Sequence, residues 1–295
     1  MKRPKNSIII FFALVIGTFF IVMIFNPVKT SNPLKTILLI TGINIIISFL
    51  FGLKTGDYSW TDRIWSIVPI GFSWIYAASN PANPTGWLAF LLIALWGIRL
   101  TANFARKGGY TQEQDYRWTI LQSRIHTKIG WQAFNLFFIA CYQQVLFICF
   151  TLPLYFLNNT PLNITMILAL VFMFAFLVLE TLADQQQYSF QQAKYGLLPT
   201  NPLSEADYKK GFKTSGLFAR SRHPNYLGEL GFWWSLYIFS ALGNGIWWSP
   251  SLLGPILLTL LFLGSTGFTE QITAGKYPQY QEYKKSTWPI LFRPW

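Results

Sequence analysis

The sequence predicts an all-α fold, a polytopic transmembrane helical bundle of about eight spans. Three observations predict it. The 295-residue chain is 52% hydrophobic and 18% aromatic, with a mean hydropathy of +0.34. Only 12% of its residues are charged, against roughly 25% in an average soluble domain. Its apolar residues are gathered into long uncharged runs, and about 20 such residues in a helix cross a hydrocarbon core.

The first run, residues 7–25 (SIIIFFALVIGTFFIVMIF), follows a basic start and has no small-residue cleavage site. It reads as a retained span rather than a removed signal peptide. Comparable runs occupy 36–53, 64–79, 86–105, 131–157, 162–183, 226–243 and 250–268. The run at 64–79 is short, and 131–157 is long with Pro153 inside it.

Basic residues alternate between loops. Lys2, Arg3 and Lys5 precede the first run, and Lys54 and Arg63 follow the second. Arg106, Lys107, Arg117, Arg124 and Lys128 follow the fourth. Lys194, Lys209, Lys210, Lys213, Arg220 and Arg222 follow the sixth, and Lys276, Lys284, Lys285 and Arg293 lie in the tail. The opposite loops hold Lys29 and Lys35 alone. Lys and Arg are enriched in cytoplasmic loops, so both termini are expected in the cytoplasm. The polar stretches 106–130, 184–225 and 269–295 are expected to converge on the cytoplasmic face of the membrane.

The net charge of +12 follows from that bias and from attraction to anionic membrane lipids. No groove-reading motif accompanies it, so nucleic acid is not an expected partner. Cys141 and Cys149 share one apolar run without metal or disulfide spacing, and no metal site is expected. No repeat of 20–50 residues is visible.

Ionisable groups inside membrane spans are expensive and usually functional. Five stand out: Arg99 in "WGIRLTANFARK", Glu180 and Asp184 in "LVLETLADQQQY", Glu229 in "NYLGELGFWW" and Glu270 in "GFTEQI". Glu180 and Asp184, four apart, share a helix face; Asp184 also reads as an interfacial, hydrated carboxylate. The stretch "SGLFARSRHPNYLGE" (215–229) puts Arg220, Arg222 and His223 ahead of Pro224, with Asn225 as the expected helix N-cap. Free N–H groups beside positive charge suit a phosphate or pyrophosphate. A basic anchor for lipid headgroups explains the same charges, and charge alone leaves both open. The Pro–Asn pair favours a shaped turn.

With "LWGIRL" (95–100), "LETLADQQQYSFQQ" (179–192), "SGLFARSRHPNYLGELGFWW" (215–234) and "KYPQYQEYKKSTWPILFRPW" (276–295), residues 86–295 resemble the steroid 5-alpha-reductase-type membrane reductases. They are closest to a bacterial branch known as a domain of unknown function, and to the C-terminal region of 3-oxo-5-alpha-steroid 4-dehydrogenases. That resemblance implies the bacterial inner (plasma) membrane as the location, with the cofactor site facing the cytoplasm. Residues 1–85 form N-terminal helices that the resemblance covers weakly. The resemblance implies NADPH-dependent reduction of a carbon–carbon double bond conjugated to a carbonyl, in a hydrophobic, lipid-like substrate (a steroid, isoprenoid or fatty compound). It implies cofactor contacts at Arg99, Glu180, Asp184, Asn225, Tyr226 and Glu229, with Arg222 and His223 in the same motif. Arg99 and Arg222 would meet phosphates; Asp184 and Glu229 would accept from ribose or carboxamide. No Gly-x-Gly-x-x-Gly turn is present, which argues against a soluble dinucleotide fold.

The chain departs from that family on the substrate side. "TDRIWSIVP" (61–69) lacks the Gln–Glu pair that holds a steroid carbonyl, and no tyrosine lies between Tyr76 and Tyr110. No catalytic residue is therefore assigned. Membrane methyltransferases of the isoprenylcysteine carboxyl type share Arg-His-Pro-x-Tyr and bind S-adenosylmethionine. The "ADQQ" segment and the Asn-Tyr-x-Gly-Glu continuation fit the reductases better. A lipid-binding protein that keeps the fold without the chemistry is the third reading.

Overall fold

Polar residues decide where the long helices start. Asn32 and Asn83 each accept the N–H two residues on, from Leu34 and Thr85. Each is followed by a proline at the first helical position, where a missing N–H is harmless. In the computed structural model, which describes residues 6–27, 31–111, 114–157 and 161–294, helix follows helix. The order is α1 (Asn6–Phe25), α2 (Pro33–Thr55), α3 (Trp60–Ile64), α4 (Val68–Ser79), α5 (Pro84–Arg106), α6 (Tyr116–Arg124), α7 (Lys128–Phe134) and α8 (Gln143–Thr151). Then come α9 (Ile164–Lys194), α10 (Glu205–Lys210), α11 (Pro224–Asn244), α12 (Leu253–Lys276) and α13 (Tyr280–Ser286). A π-helical stretch, Asn135–Tyr142, joins α7 to α8.

The chain is a multi-pass membrane protein. Six stretches among the described residues are long and apolar enough to span: Ser7–Phe25, Pro33–Thr55, Pro84–Arg106, Lys128–Leu154, Ile164–Lys194 and Pro250–Lys276. Two of the eight expected spans do not qualify. In the run at 64–79, Ile64 ends α3, a turn follows, and the 12-residue α4 alone remains helical, rising only about 18 Å. The 21 residues of α11 are long enough, but glycines, paired tryptophans, Asn225 and Glu229 dilute its apolarity. The spans are apolar outside and more polar inside. On α9, Ile167, Val171, Phe174 and Val178 form an exposed stripe at helical spacing, while Met166, Met173 and Glu180 are buried.

The chain forms two compact units, residues 1–163 with 240–254, and 164–239 with 255–295. This partition differs from the 1–85 and 86–295 division drawn from the resemblance. In the first unit, α2 packs on α1, α4 and α8. Phe11 and Phe51 lie 4.7 and 5.1 Å from the buried Trp60. A fully buried Arg63–Asp57 pair at 2.7 Å closes the α2–α3 turn, with the guanidinium 4.6 Å over Trp60. Asp62 accepts the Trp118 indole N–H at 2.7 Å. Burial and the Asp115 carboxylate push Asp62 up, against opposing pulls from Arg117 and Trp118. The returning segment is pinned where Ser240 donates to the Pro153 carbonyl at 2.7 Å and Asn244 to that of Phe156 at 3.1 Å.

In the second unit, α9 and α11 touch at glycine. A Cβ on Gly228 would lie 2.6 Å from Cβ and 2.8 Å from N of Glu180, and one on Gly231 would lie 2.3 Å from the Phe176 ring. Backbone cannot yield as a flexible side chain can, so Gly228 is required by close approach. Gly228→Ala should force the helices apart and destabilise the protein by about 1–3 kcal/mol. A lower melting temperature in detergent, with membrane insertion unchanged, is the expected result.

Candidate functional site

The site residues fall in both units. Arg99 lies on α5 of the first. Glu180, Asp184, Arg222, His223, Asn225, Tyr226 and Glu229 all lie in the second. There the glycine contact sets Gly228 against Glu180, one residue before Glu229. Glu180, Asp184 and Glu229 are all buried, 3–6% exposed. Trp233, one turn on, donates its indole N–H to Glu229 at 3.0 Å. A carboxylate placed in an apolar span is costly without such partners.

The arginine cluster takes a different form from the one expected. Arg222 points not at an open anion site but into the protein. Its Nε and Nη2 donate to Glu270 at 2.7 and 3.2 Å, and its Nη1 donates to the Lys284 and Thr287 carbonyls. His223 Nε2 lies 3.1 Å and Lys284 Nζ 3.2 Å from the same carboxylate. The phosphate contact expected of Arg222 is thus replaced by a buried, forked ion pair. Asn225 is not the helix cap either. The helix begins at Pro224, and the N–H groups of Tyr226 and Leu227 reach the His223 carbonyl. His223 stacks on Tyr226, ring centroids 4.9 Å apart.

The tail is tied back on this motif. Arg222 N–H donates to the Trp288 carbonyl and His223 N–H to that of Pro289, both at 2.9 Å. Tyr283 donates its hydroxyl to the Phe218 carbonyl. Burial holds Tyr280 and Tyr283 above the usual phenol range, helped at Tyr280 by Glu270 and at Tyr283 by Tyr280.

A second polar centre, absent from the sequence reading, organises the loop after α9. Asp207 accepts the N–H and hydroxyl of Thr214 (3.0 and 2.6 Å) and of Ser215 (3.2 and 2.6 Å). Lys213 stands 3.7 Å away. Lys194 donates to the Gly211 carbonyl and the Tyr277 hydroxyl at 2.6 and 2.7 Å, which lowers the Tyr277 phenol. Beside this loop lies a half-open cavity of about 260 Å³, lined by Gln185, Gln186, Asn201, Tyr208 and Lys213 among others. Phe190 and Tyr208, stacked 5.3 Å apart and nearly parallel, form part of its wall. The only cue in the sequence was the "ADQQQ" run leading into it.

The chain belongs to the family described as protein of unknown function (DUF1295). That family's profile matches residues 48–287. An uncharacterized protein of the fission yeast Schizosaccharomyces pombe (strain 972) is 33% identical over 265 residues, which cover 82% of this chain and 76% of the relative. No solved structure matches. The family match extends well before residue 86, into helices where the motifs gave little to compare.

Two predictions follow from this geometry. Replacing Arg222 by Ala leaves Glu270 buried without its forked partner and should cost about 3–5 kcal/mol. Arg222→Met with Glu270→Met should recover much of that loss, read as melting temperature. Burial raises the Asp207 pKa, but the hydroxyl and N–H bonds of Ser215 and Thr214 outweigh it, with Lys213, so the group is held below 3.8. Its stabilisation is therefore complete above the ordinary aspartate pKa and is lost as pH falls through the lowered value. Protection of residues 202–216 against hydrogen exchange, relative to the intrinsic rate at each pH, should fall only in that acid range. In Asp207→Asn that protection should be low at neutral pH too.

Proposed function

We propose that this protein is a membrane-embedded reductase that uses NADPH to reduce a carbon–carbon double bond conjugated to a carbonyl in a lipid-like substrate. One observation carries the reading. Three buried carboxylates, Glu180, Asp184 and Glu229, gather on two apolar helices held at backbone contact by Gly228, and buried ionisable groups in spans mark function. The motif resemblance at 179–192 and 215–234 selects reduction from among the chemistries such a site could serve.

The donor set fits part of a dinucleotide. Asp184 and Glu229 would accept from ribose and carboxamide groups, and the cavity adds Gln185, Gln186, Asn201 and the stacked Phe190–Tyr208 pair. With Arg222 neutralised by Glu270, Lys213 is the cation that lines the cavity. NADPH, when bound, supplies the hydride. The chain's own part is to orient the cofactor's polar end, with the cavity on the cytoplasmic side as the basic loops imply, and to keep water from the apolar substrate.

S-adenosylmethionine is the second reading, and the Arg222–Glu270 pair favours keeping it. Methyl transfer from a sulfonium needs no phosphate-binding arginine. Thermal-shift titration of the full chain in mild detergent separates the two. NADPH should raise the melting temperature and S-adenosylmethionine should not. Asp184→Asn and Glu229→Gln should each weaken NADPH binding about tenfold, or roughly 1.4 kcal/mol. Unchanged affinity in both variants would remove the site. A shift with S-adenosylmethionine alone would replace the reaction.

A further inference from the structure

The first unit holds a polar cluster that the carboxylate site does not use. Thr41, Asn44 and Ser48, spaced by three and four residues, lie on the face of α2 that is buried. That face meets the segment from α7 to α8. Ser48 Oγ accepts from Gln144 Nε2 at 3.1 Å, and a Cβ on Gly52 would lie 3.2 Å from the Asn135 amide. Asn44 is one turn beyond Ser48 and falls at the middle of the span Pro33–Thr55. Gln143 and Gln144 sit near the middle of the span Lys128–Leu154, directly after its π-helical stretch. Such π distortions are frequent at functional sites.

These groups are buried and their hydrogen bonding is incomplete. Asn44 and Gln144 are 1% exposed, and Thr41 and Gln143 are 3% exposed. Both amide atoms of Asn44, the Oε1 atoms of Gln143 and Gln144, and Thr41 Oγ1 have no hydrogen-bond partner. A buried polar atom left unsatisfied costs about 1–3 kcal/mol, and native proteins leave few. Several on two facing spans imply an occupant that supplies the missing bonds. Its chemistry follows from what surrounds it. No charged residue occurs from 36 to 53 or from 129 to 179, so the site offers an anion or cation nothing. Amides and hydroxyls each donate and accept, which suits a carbonyl or hydroxyl oxygen.

We infer that Thr41, Asn44, Gln143 and Gln144 form a mid-membrane binding site for a neutral oxygen group, carbonyl or hydroxyl, on an otherwise apolar molecule. The inference concerns the first unit alone and stands whether or not the protein is a reductase.

The test uses the full chain in mild detergent, with hexadecanol and a long-chain methyl ketone as probes and hexadecane and palmitate as controls. The oxygenated neutral probes should raise the melting temperature by several degrees, and the controls should not. Asn44→Leu and Gln144→Met should each weaken binding at least tenfold. Unliganded, Asn44→Leu should melt no lower than wild type, because both of its amide atoms lack a partner and an apolar side chain removes their desolvation penalty. Gln144→Met also gives up the bond to Ser48 and should melt somewhat lower. Phosphatidylglycerol that stabilises wild type but not Asn44→Leu would make a membrane lipid's ester carbonyl the occupant, the same chemistry from another source. Three results would overturn the inference: equal stabilisation by hexadecane, full probe binding by both variants, or no response to any probe. An Asn44→Leu variant that melts far below wild type without ligand would also overturn it, by making the cluster a structural network.

Discussion

Much of the second unit hangs on the ion pair between Arg222 and Glu270. A guanidinium and a carboxylate this deeply buried must satisfy each other and their remaining donors and acceptors, or the fold loses several kcal/mol. The Arg222 side chain joins the start of α11 to α12 through Glu270, and to α13 and the tail through two carbonyls. The backbone N–H groups of Arg222 and His223 then add the Trp288 and Pro289 carbonyls. One side chain therefore fixes where α11 begins, and with it the orientation of Tyr226 and Glu229 along the helix.

The carboxylates depend on a second constraint, steric rather than electrostatic. Gly228 lets the α11 backbone approach Glu180 to a distance no side chain would permit. Glu180, at that contact, and Glu229, which accepts the Trp233 indole N–H, are both buried, away from the lipid that would penalise them. Outward, the spans present Ile, Val, Leu and Phe; inward, an apolar core is interspersed with polar groups such as Thr41, Asn44, Gln144 and Glu180. With no water in the hydrocarbon, polar groups are satisfied only by the protein or by what it binds. This is why the carboxylates and the amide cluster around Asn44 are the places where chemistry or recognition concentrates.

Family membership and geometry support different parts of the reading. The family match and the fission yeast relative place most of the chain in one family, and neither description carries an activity. The choice of reduction rests on the motifs at 179–192 and 215–234 and on the carboxylates they contain. The polar cavity beside Phe190 and Tyr208 adds a place for the polar end of a cofactor.

The sequence by itself determined the helical class, the membrane environment and the five ionisable residues worth following, because each is a local property. Uncharged run length marks a span, i to i+4 spacing puts Glu180 and Asp184 on one face, and a charge within a span is visible without knowing its partner. Looking only for ionisable groups hid Asn44, Gln143 and Gln144, which polar residues in the runs "INII" and "CYQQVL" would have flagged. Tertiary structure decided the rest. It shortened the 64–79 run, because α3, held to Asp57 and Trp118, ends at Ile64 and a turn separates it from α4. It moved the helix start from Asn225 to Pro224, and it turned Arg222 from an anion contact into the partner of Glu270, 48 residues away. Partners at that separation leave no periodic trace in a sequence. They are chosen when buried charge must find its complement as the helices pack.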